Sequence, residues 1–183
     1  MNDITVVGLC GNAGTGKDFI AQHIFRPRGY FQWSFAWPFK HFLVGTCQAT
    51  YEEVFSTKPP HIRHLLQQEG TEKGRMIYGE NIWIETAKAW WNTLYSTAGI
   101  NKIVVADVRF QNEIKAILNI GGKVLKIESP LRSTSSPSMT TSARLHVSES
   151  EMLSLSPELF SGVVNNDGTI NDTENQIKQI LKW

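Results

Sequence analysis

Residues 4–25 hold the arrangement that most limits what this chain can fold into. Ile4-Thr5-Val6-Val7 is a short β-branched run suited to a buried strand. It leads into Gly11-Asn12-Ala13-Gly14-Thr15-Gly16-Lys17, which fits the pattern Gly-x-x-x-x-Gly-Lys. Asp18 opens a stretch with Phe19, Ile20, His23 and Ile24 at helical spacing. Glycines at 11, 14 and 16 let the backbone curl until several amide N–H groups converge on one anion. The following helix adds the partial positive charge of its N-terminus, and Lys17 adds a full one. Strand, loop and helix together predict a cradle for a polyphosphate. The plainer alternative is a glycine-rich β–α turn with an exposed lysine.

Asp18 stands where such loops usually carry a Ser or Thr hydroxyl for Mg²⁺. A carboxylate beside phosphates is unfavourable unless a cation lies between them, so Asp18 is expected to hold the magnesium or order its waters. A helix-capping role for Asp18 is the alternative.

At 183 residues the chain suits one compact α/β domain with small insertions. With 41% hydrophobic and 19% charged residues it can form a core, which argues against global disorder. A formal charge of +1 argues against a dedicated nucleic-acid binder. Cys10 and Cys47 are isolated and have no histidine at ligand spacing, so neither a disulfide framework nor a zinc site is expected. The beginning of the chain does not read as a signal peptide and no apolar run approaches a membrane span. The expectation is a soluble cytoplasmic protein with no nucleic-acid or membrane partner.

Downstream, Arg26-Pro27-Arg28-Gly29 breaks the first helix, and residues 30–35 alternate as a second strand with Phe31, Trp33 and Phe35 on one side. Pro38 suits the first turn of a helix carrying Phe39, Phe42 and Leu43. Thr50 and Glu53 form a capping-box pair. A helix is predicted over 61–71, with Ile62, Leu65 and Leu66 as its apolar stripe and Arg63, Gln67 and Thr71 on the neighbouring one. Gly70 leaves room beside that polar row for a ligand, although a solvated face explains the spacing equally. A longer helix over 81–95 places Trp83, Ala87, Trp90 and Leu94 at core spacing, with Trp83 near enough to the start to line a base pocket instead.

Ile103-Val104-Val105-Ala106 is the second clear buried strand, ending in Asp107-Val108-Arg109-Phe110 with Glu113 on the next helix. Ligands of doubly wound sheets gather at carboxyl ends of strands, which places Asp107 to meet magnesium and Arg109 to meet a phosphate. The alternative for Asp107 is a cap or turn residue. Residues 124–127 form another strand. Residues 129–142 are dominated by Ser, Thr and Pro between Arg132 and Arg144, a composition that fits either a surface loop or a closing lid. A helix over 146–155, a strand over 163–165, the turn Asn166-Asp167-Gly168 and a terminal helix capped by Asn171 with Glu174 complete the reading.

Four stretches then resemble the phage-type deoxynucleoside monophosphate kinases of the P-loop kinase superfamily. They are Gly11-x-x-x-x-Gly16-Lys17-Asp18, Leu66-Gln67-Gln68-Glu69-Gly70-Thr71-Glu72-x-Gly74-Arg75, Asp107-Val108-Arg109-Phe110-Gln111-Asn112-Glu113, and Asn166-Asp167-Gly168-Thr169. Fainter echoes are Phe35-Ala36-x-Pro38-x-Lys40 and His146-x-Ser148-Glu149. The resemblance implies a three-layer P-loop NTPase fold, α/β, with a mainly parallel sheet flanked by helices. One domain would span 1–183, with a helical acceptor region at about 36–97 and a lid at about 129–147.

It implies ATP as donor and Mg²⁺ as cofactor. The donor site would comprise Gly11, Asn12, Ala13, Gly14, Thr15, Gly16, Lys17 and Arg132, and the metal site Asp18 and Asp107. Lys40, Arg63, Gln67, Gly70, Thr71 and Trp83 would form the acceptor side, with Asp107, Arg109 and Glu113 facing them. Lys17, Asp18, Arg109 and the lid residue Arg144 would be catalytic, with Arg132 the second choice for the lid. Phe19 stands where the family commonly has a threonine. A homodimer through the aromatics of the 81–95 helix is implied by the resemblance alone.

The expected reaction is transfer of the ATP γ-phosphate to a deoxynucleoside monophosphate. Nearby rivals are a guanylate-specific kinase and a kinase for dephospho-coenzyme A. A non-catalytic GTP switch lacks its guanine reader, since Asn101-Lys102 runs into Ile103-Val104, and a dinucleotide-binding enzyme lacks its Gly-x-Gly-x-x-Gly frame.

Overall fold

The computed structural model describes residues 3–133 and 155–183. Five strands form one parallel sheet in the order β2-β3-β1-β4-β5, with β1 Thr5–Cys10, β2 Phe31–Trp33, β3 Lys102–Val108, β4 Lys123–Glu128 and β5 Gly162–Asn165. The β-branched runs are buried on both faces, as parallel strands between helices require. On one face Val6 and Cys10 of β1 and Ile103, Val105 and Val108 of β3 pack against α5 (Ile82–Ala98) and α6 (Gln111–Asn119). On the other, Val7, Leu9, Val104 and Leu125 meet α1 (Lys17–Ile20), its continuation Ala21–Phe25, and the terminal helix α8 (Ile170–Leu181). These are the expected three layers.

A satellite core of Leu43, Val54 and Ile62 gathers α2 (Trp37–Gly45), the turn Glu53–Thr57 and α3 (Pro60–Leu65). Leu66–Lys73 continues α3 with π winding before α4 (Gly74–Tyr78). A short turn, α7 (Pro130–Ser133), follows β4. The order of strands reverses at β1, whose carboxyl end carries the glycine loop, so the crevice that opens there lies between the ends of β1 and its neighbours.

Four local expectations need correction. The second strand is only three residues long, although Tyr30 and Phe35 beside it are buried. The helix predicted over 61–71 is α-helical only to Leu65, and Leu66–Lys73 continues it with π winding. In α5 the buried residues are Ile84, Ala87 and Trp91, whereas Trp90 is 49% exposed, one helical position away from the core. The terminal helix is capped by Thr169 rather than Asn171. The Thr169 hydroxyl accepts the Asp172 amide N–H at 3.3 Å, and the Asp172 carboxylate accepts the Thr169 N–H at 2.9 Å.

Candidate functional site

The glycine loop is fixed from beneath. A Cβ on Gly11 would stand 2.3 Å from the Ile127 carbonyl oxygen, so only glycine lets the loop lie this close to β4. Gly14 and Gly16 take left-handed backbone, at φ 84° and 86°. Thr15 is buried and its hydroxyl donates to the Asn12 carbonyl at 2.9 Å. The Thr15 carbonyl accepts the Asn166 side-chain N–H at 2.9 Å, and the Asn166 oxygen accepts the Thr173 hydroxyl at 2.9 Å. The loop is thereby tied to α8 through two buried side chains, and the 166–169 motif supports it.

Lys17 Nζ donates to the carbonyls of Gly11 at 2.6 Å and Asn12 at 2.7 Å. Burial, with the Arg109 charge added, lowers its pKa to about 8. Beside the loop, a cleft of about 340 Å³ is bounded by Lys126, Glu128, Ser129, Pro130 and Phe160. Its Lys126–Glu128 ion pair measures 2.7 Å.

Asp18 lies on the exposed side of α1, and one of its oxygens accepts the Gln32 Nε2–H at 3.2 Å. The start of α1 has no side-chain cap hydrogen bond, so capping does not account for this carboxylate. Asp107 is placed differently. Between Gly8 and Cys10 the β1–β3 register slips from Val105 to Val108, inserting one extra residue on β3 beside Asp107. Such a bulge re-aims a side chain. The Asp107 carboxylate accepts the Ser34 hydroxyl at 2.5 Å and the N–H groups of Phe35 at 2.8 Å and Ala36 at 3.2 Å. From within β3 it holds the turn into α2.

The donor set fits magnesium in part. Mg²⁺ binds through one or two carboxylates plus phosphate oxygens and retains waters. Asp18 has the lone pairs and exposure for that, while Asp107 already accepts from three donors. Among the described residues no group of three or more His, Cys, Asp or Glu is placed to hold a metal ion.

Lys40, half-buried in α2, is near enough to Asp107, Lys58, Asp18 and Arg109 for each to act on it. Burial lowers its pKa, Asp107 opposes this, and Lys58 adds to it. Arg109 is half-buried at the end of β3 and acts on both Lys17 and Lys40. The structure therefore brings Lys17, Asp18, Lys40, Asp107 and Arg109 into one electrostatic neighbourhood.

Glu113 adjoins this neighbourhood, beside Arg109 and Asp107. Glu113 is 4% exposed, and its Oε2 accepts the N–H groups of Arg109 at 2.8 Å and Phe110 at 3.1 Å. It caps α6, and burial pushes its pKa up to about 7. Arg63 is exposed, with Nε donating to the Lys58 carbonyl at 2.8 Å. Gln67 is half-buried and Gly70 buried. Trp83 directs its indole N–H to the Gly70 carbonyl at 2.6 Å. Arg144 lies outside the described residues, as do most of the expected lid and the helix expected over 146–155. The side chains of Thr71 and Arg132 are likewise outside the description.

Sequence reasoning missed three contributors. Lys58 reads as the end of a helix before Pro59-Pro60, yet it sits in left-handed backbone at φ 46° close to Lys40. Ser34 gave no signal, because its tie to Asp107 spans 73 positions. Arg75 closes the second motif, and its guanidinium lies 3.9 Å over the Phe110 ring.

No family model matches the chain. A protein of Acanthamoeba polyphaga mimivirus, described as "Putative deoxynucleotide monophosphate kinase", is 27% identical, with 95% of this chain and 94% of that protein covered. Among solved structures, a sugar kinase from Janibacter sp. HTCC2649 aligns with a TM-score of 0.59 at 15% identity, over 98% of this chain and 95% of that one. Protein TT1252 from Thermus thermophilus gives 0.58 at 16% identity, covering 98% and 97%. A dephospho-CoA kinase from Campylobacter jejuni gives 0.51 at 14%, covering 97% and 95%. The structural likenesses speak for the fold, and the viral relative for kinase chemistry. The chain has the P-loop kinase fold, and its resemblance to the deoxynucleoside monophosphate kinases is met by a relative along nearly its whole length.

Proposed function

We propose that the protein transfers the γ-phosphate of ATP to a deoxynucleoside monophosphate, giving the diphosphate. The observation that carries this reading is the gathering of cations around the ends of two neighbouring strands. Lys17 stands with the loop amides after β1, Arg109 follows the end of β3, and the Arg109 charge acts on both Lys17 and Lys40. One end suits a triphosphate tail and the other suits the phosphate of a second, monophosphorylated guest.

An oxygen of the acceptor phosphate attacks the γ-phosphorus in line, forming the new P–O bond as the bond to the β-phosphate oxygen breaks and ADP leaves. The attacking oxygen is already anionic, so positioning and cation density do most of the work. Lys17 and the loop hold the donor, Arg109 and Lys40 hold the acceptor phosphate and offset its charge, and Arg144 completes the cationic ring. Bound magnesium would supply screening of the phosphate charge. Asp18 would hold it, and Asp107 would steady the Lys40 side of the crevice through the 34–36 turn.

The site would work on soluble nucleotides in the cytoplasm; among the described residues no helix is long and apolar enough to cross a membrane. The test is a coupled assay over all common ribo- and deoxyribonucleoside monophosphates, with dephospho-coenzyme A included and with magnesium varied. Turnover restricted to dephospho-coenzyme A would overturn the reading. Asp18→Ser and Asp18→Asn should both lower turnover, and full activity in both would remove Asp18 from the metal site.

A further inference from the structure

We propose that Trp83 serves the acceptor side as a positioning residue, its indole N–H fixing the Gly70 peptide and, through it, the wall that carries Gln67. This rests on the nucleoside monophosphate kinase reading and assigns Trp83 a part other than lining a base pocket.

Three observations meet at Gly70. The indole Nε1–H of Trp83 donates to the Gly70 carbonyl at 2.6 Å, across 13 positions and from a different helix. A carbonyl oxygen has two lone pairs and can accept this bond besides one from its own helix. A Cβ on Gly70 would stand 2.9 Å from Cδ1 of Phe39, so α2 presses directly on the same peptide. The Phe39 and Trp83 rings lie 6.1 Å apart, closing the joint.

Gly70 lies within Leu66–Lys73, the segment wound as a π turn. Such π winding is rare and recurs at functional sites. Trp83 sits beside Ile84 and Ala87, which are buried in the sheet-side core, and itself packs against that core. A bond from this anchored ring therefore ties the acceptor wall to the sheet that carries Asp107 and Arg109. Packing alone would need the ring but not its N–H. The directed 2.6 Å bond is what separates positioning from filling.

The test replaces Trp83 by 3-benzothienylalanine, which keeps the bicyclic shape and deletes the donor. Initial rates are measured with acceptor and ATP varied separately, alongside thermal melts. The expected result is a rise in acceptor KM of about five- to tenfold, with kcat and ATP KM within about twofold of wild type. Gly70→Ala should raise acceptor KM in the same selective way, and adding Phe39→Leu, which relieves the contact, should restore it in part. Both KM values moving together, or a lowered melting temperature with acceptor KM unmoved, would reduce the bond to a structural one and overturn the inference. A wild-type enzyme that phosphorylates no nucleoside monophosphate would instead overturn the functional reading and the inference with it.

Discussion

Glu113 offers a measurement in which electrostatics and fold are tied to one atom. Its carboxylate is fully enclosed, with Oε2 accepting two backbone N–H groups, and burial lifts its pKa from 4.5 to about 7. A carboxyl whose folded pKa lies above its unfolded value binds its proton more tightly in the native state. Its contribution to stability is therefore complete below about pH 4.5 and is lost as pH rises through 7. A shift of this size corresponds to about 3 kcal/mol. Glu113→Gln keeps an oxygen to accept both N–H groups and removes the ionisation. The cost of seating the amide is independent of pH, so the slope and not the offset is the readout. Urea denaturation of both proteins at intervals from pH 4.5 to 8.5 gives the difference curve. Wild type should lose about 3 kcal/mol relative to the variant across that span, mostly between pH 5 and 7. A difference curve flat to within about 0.5 kcal/mol would refute the assignment of a proton to this buried group.

Gly11→Ala places a Cβ 2.3 Å from a backbone oxygen that cannot swing away, so it should cost about 1–3 kcal/mol and weaken ATP binding, as melts and nucleotide titration would show. Asn166→Ala strands the Thr15 carbonyl and leaves the Thr173 hydroxyl only its 3.3 Å bond to the Thr169 carbonyl, and should cost about 1–3 kcal/mol while raising ATP KM more than acceptor KM. Arg144→Ala should lower turnover by on the order of a thousandfold; a variant retaining more than about a tenth of wild-type activity would exclude Arg144 from the transition-state cations.

What could be read from the chain was local in sequence. The glycine loop and the two buried strands announce themselves through spacing over fewer than ten positions, and the sheet follows from them. The Thr50–Glu53 box stands as the pattern requires. Where two such patterns compete, as with Thr169–Asp172 and Asn171–Glu174, composition does not say which prevails. Trp90 and Trp91 differ by one position, about 100° around the helix, and only packing decides which is buried. Asp107 was placed on the right strand end, but the bulge that turns it toward Ser34 depends on register with β1. Glu113 is legible through its motif, but nothing in the motif says that a carboxylate accepting the Arg109 and Phe110 N–H groups is also enclosed.

The central place of β1 has a consequence for how the protein is made. Its neighbours in the sheet are β3 and β4, so Thr5 and Val7 wait for Lys102 and Lys123, about a hundred positions later. At typical translation speeds of about 5–20 residues per second, the most apolar ribbon of the molecule is outside the ribosome for several seconds with both edges bare. A nascent fragment ending before β3 has no sheet to form around the glycine loop. Assembly of the nucleotide cradle is thus a late event in synthesis, and the growing chain depends until then on whatever shields an unpaired strand.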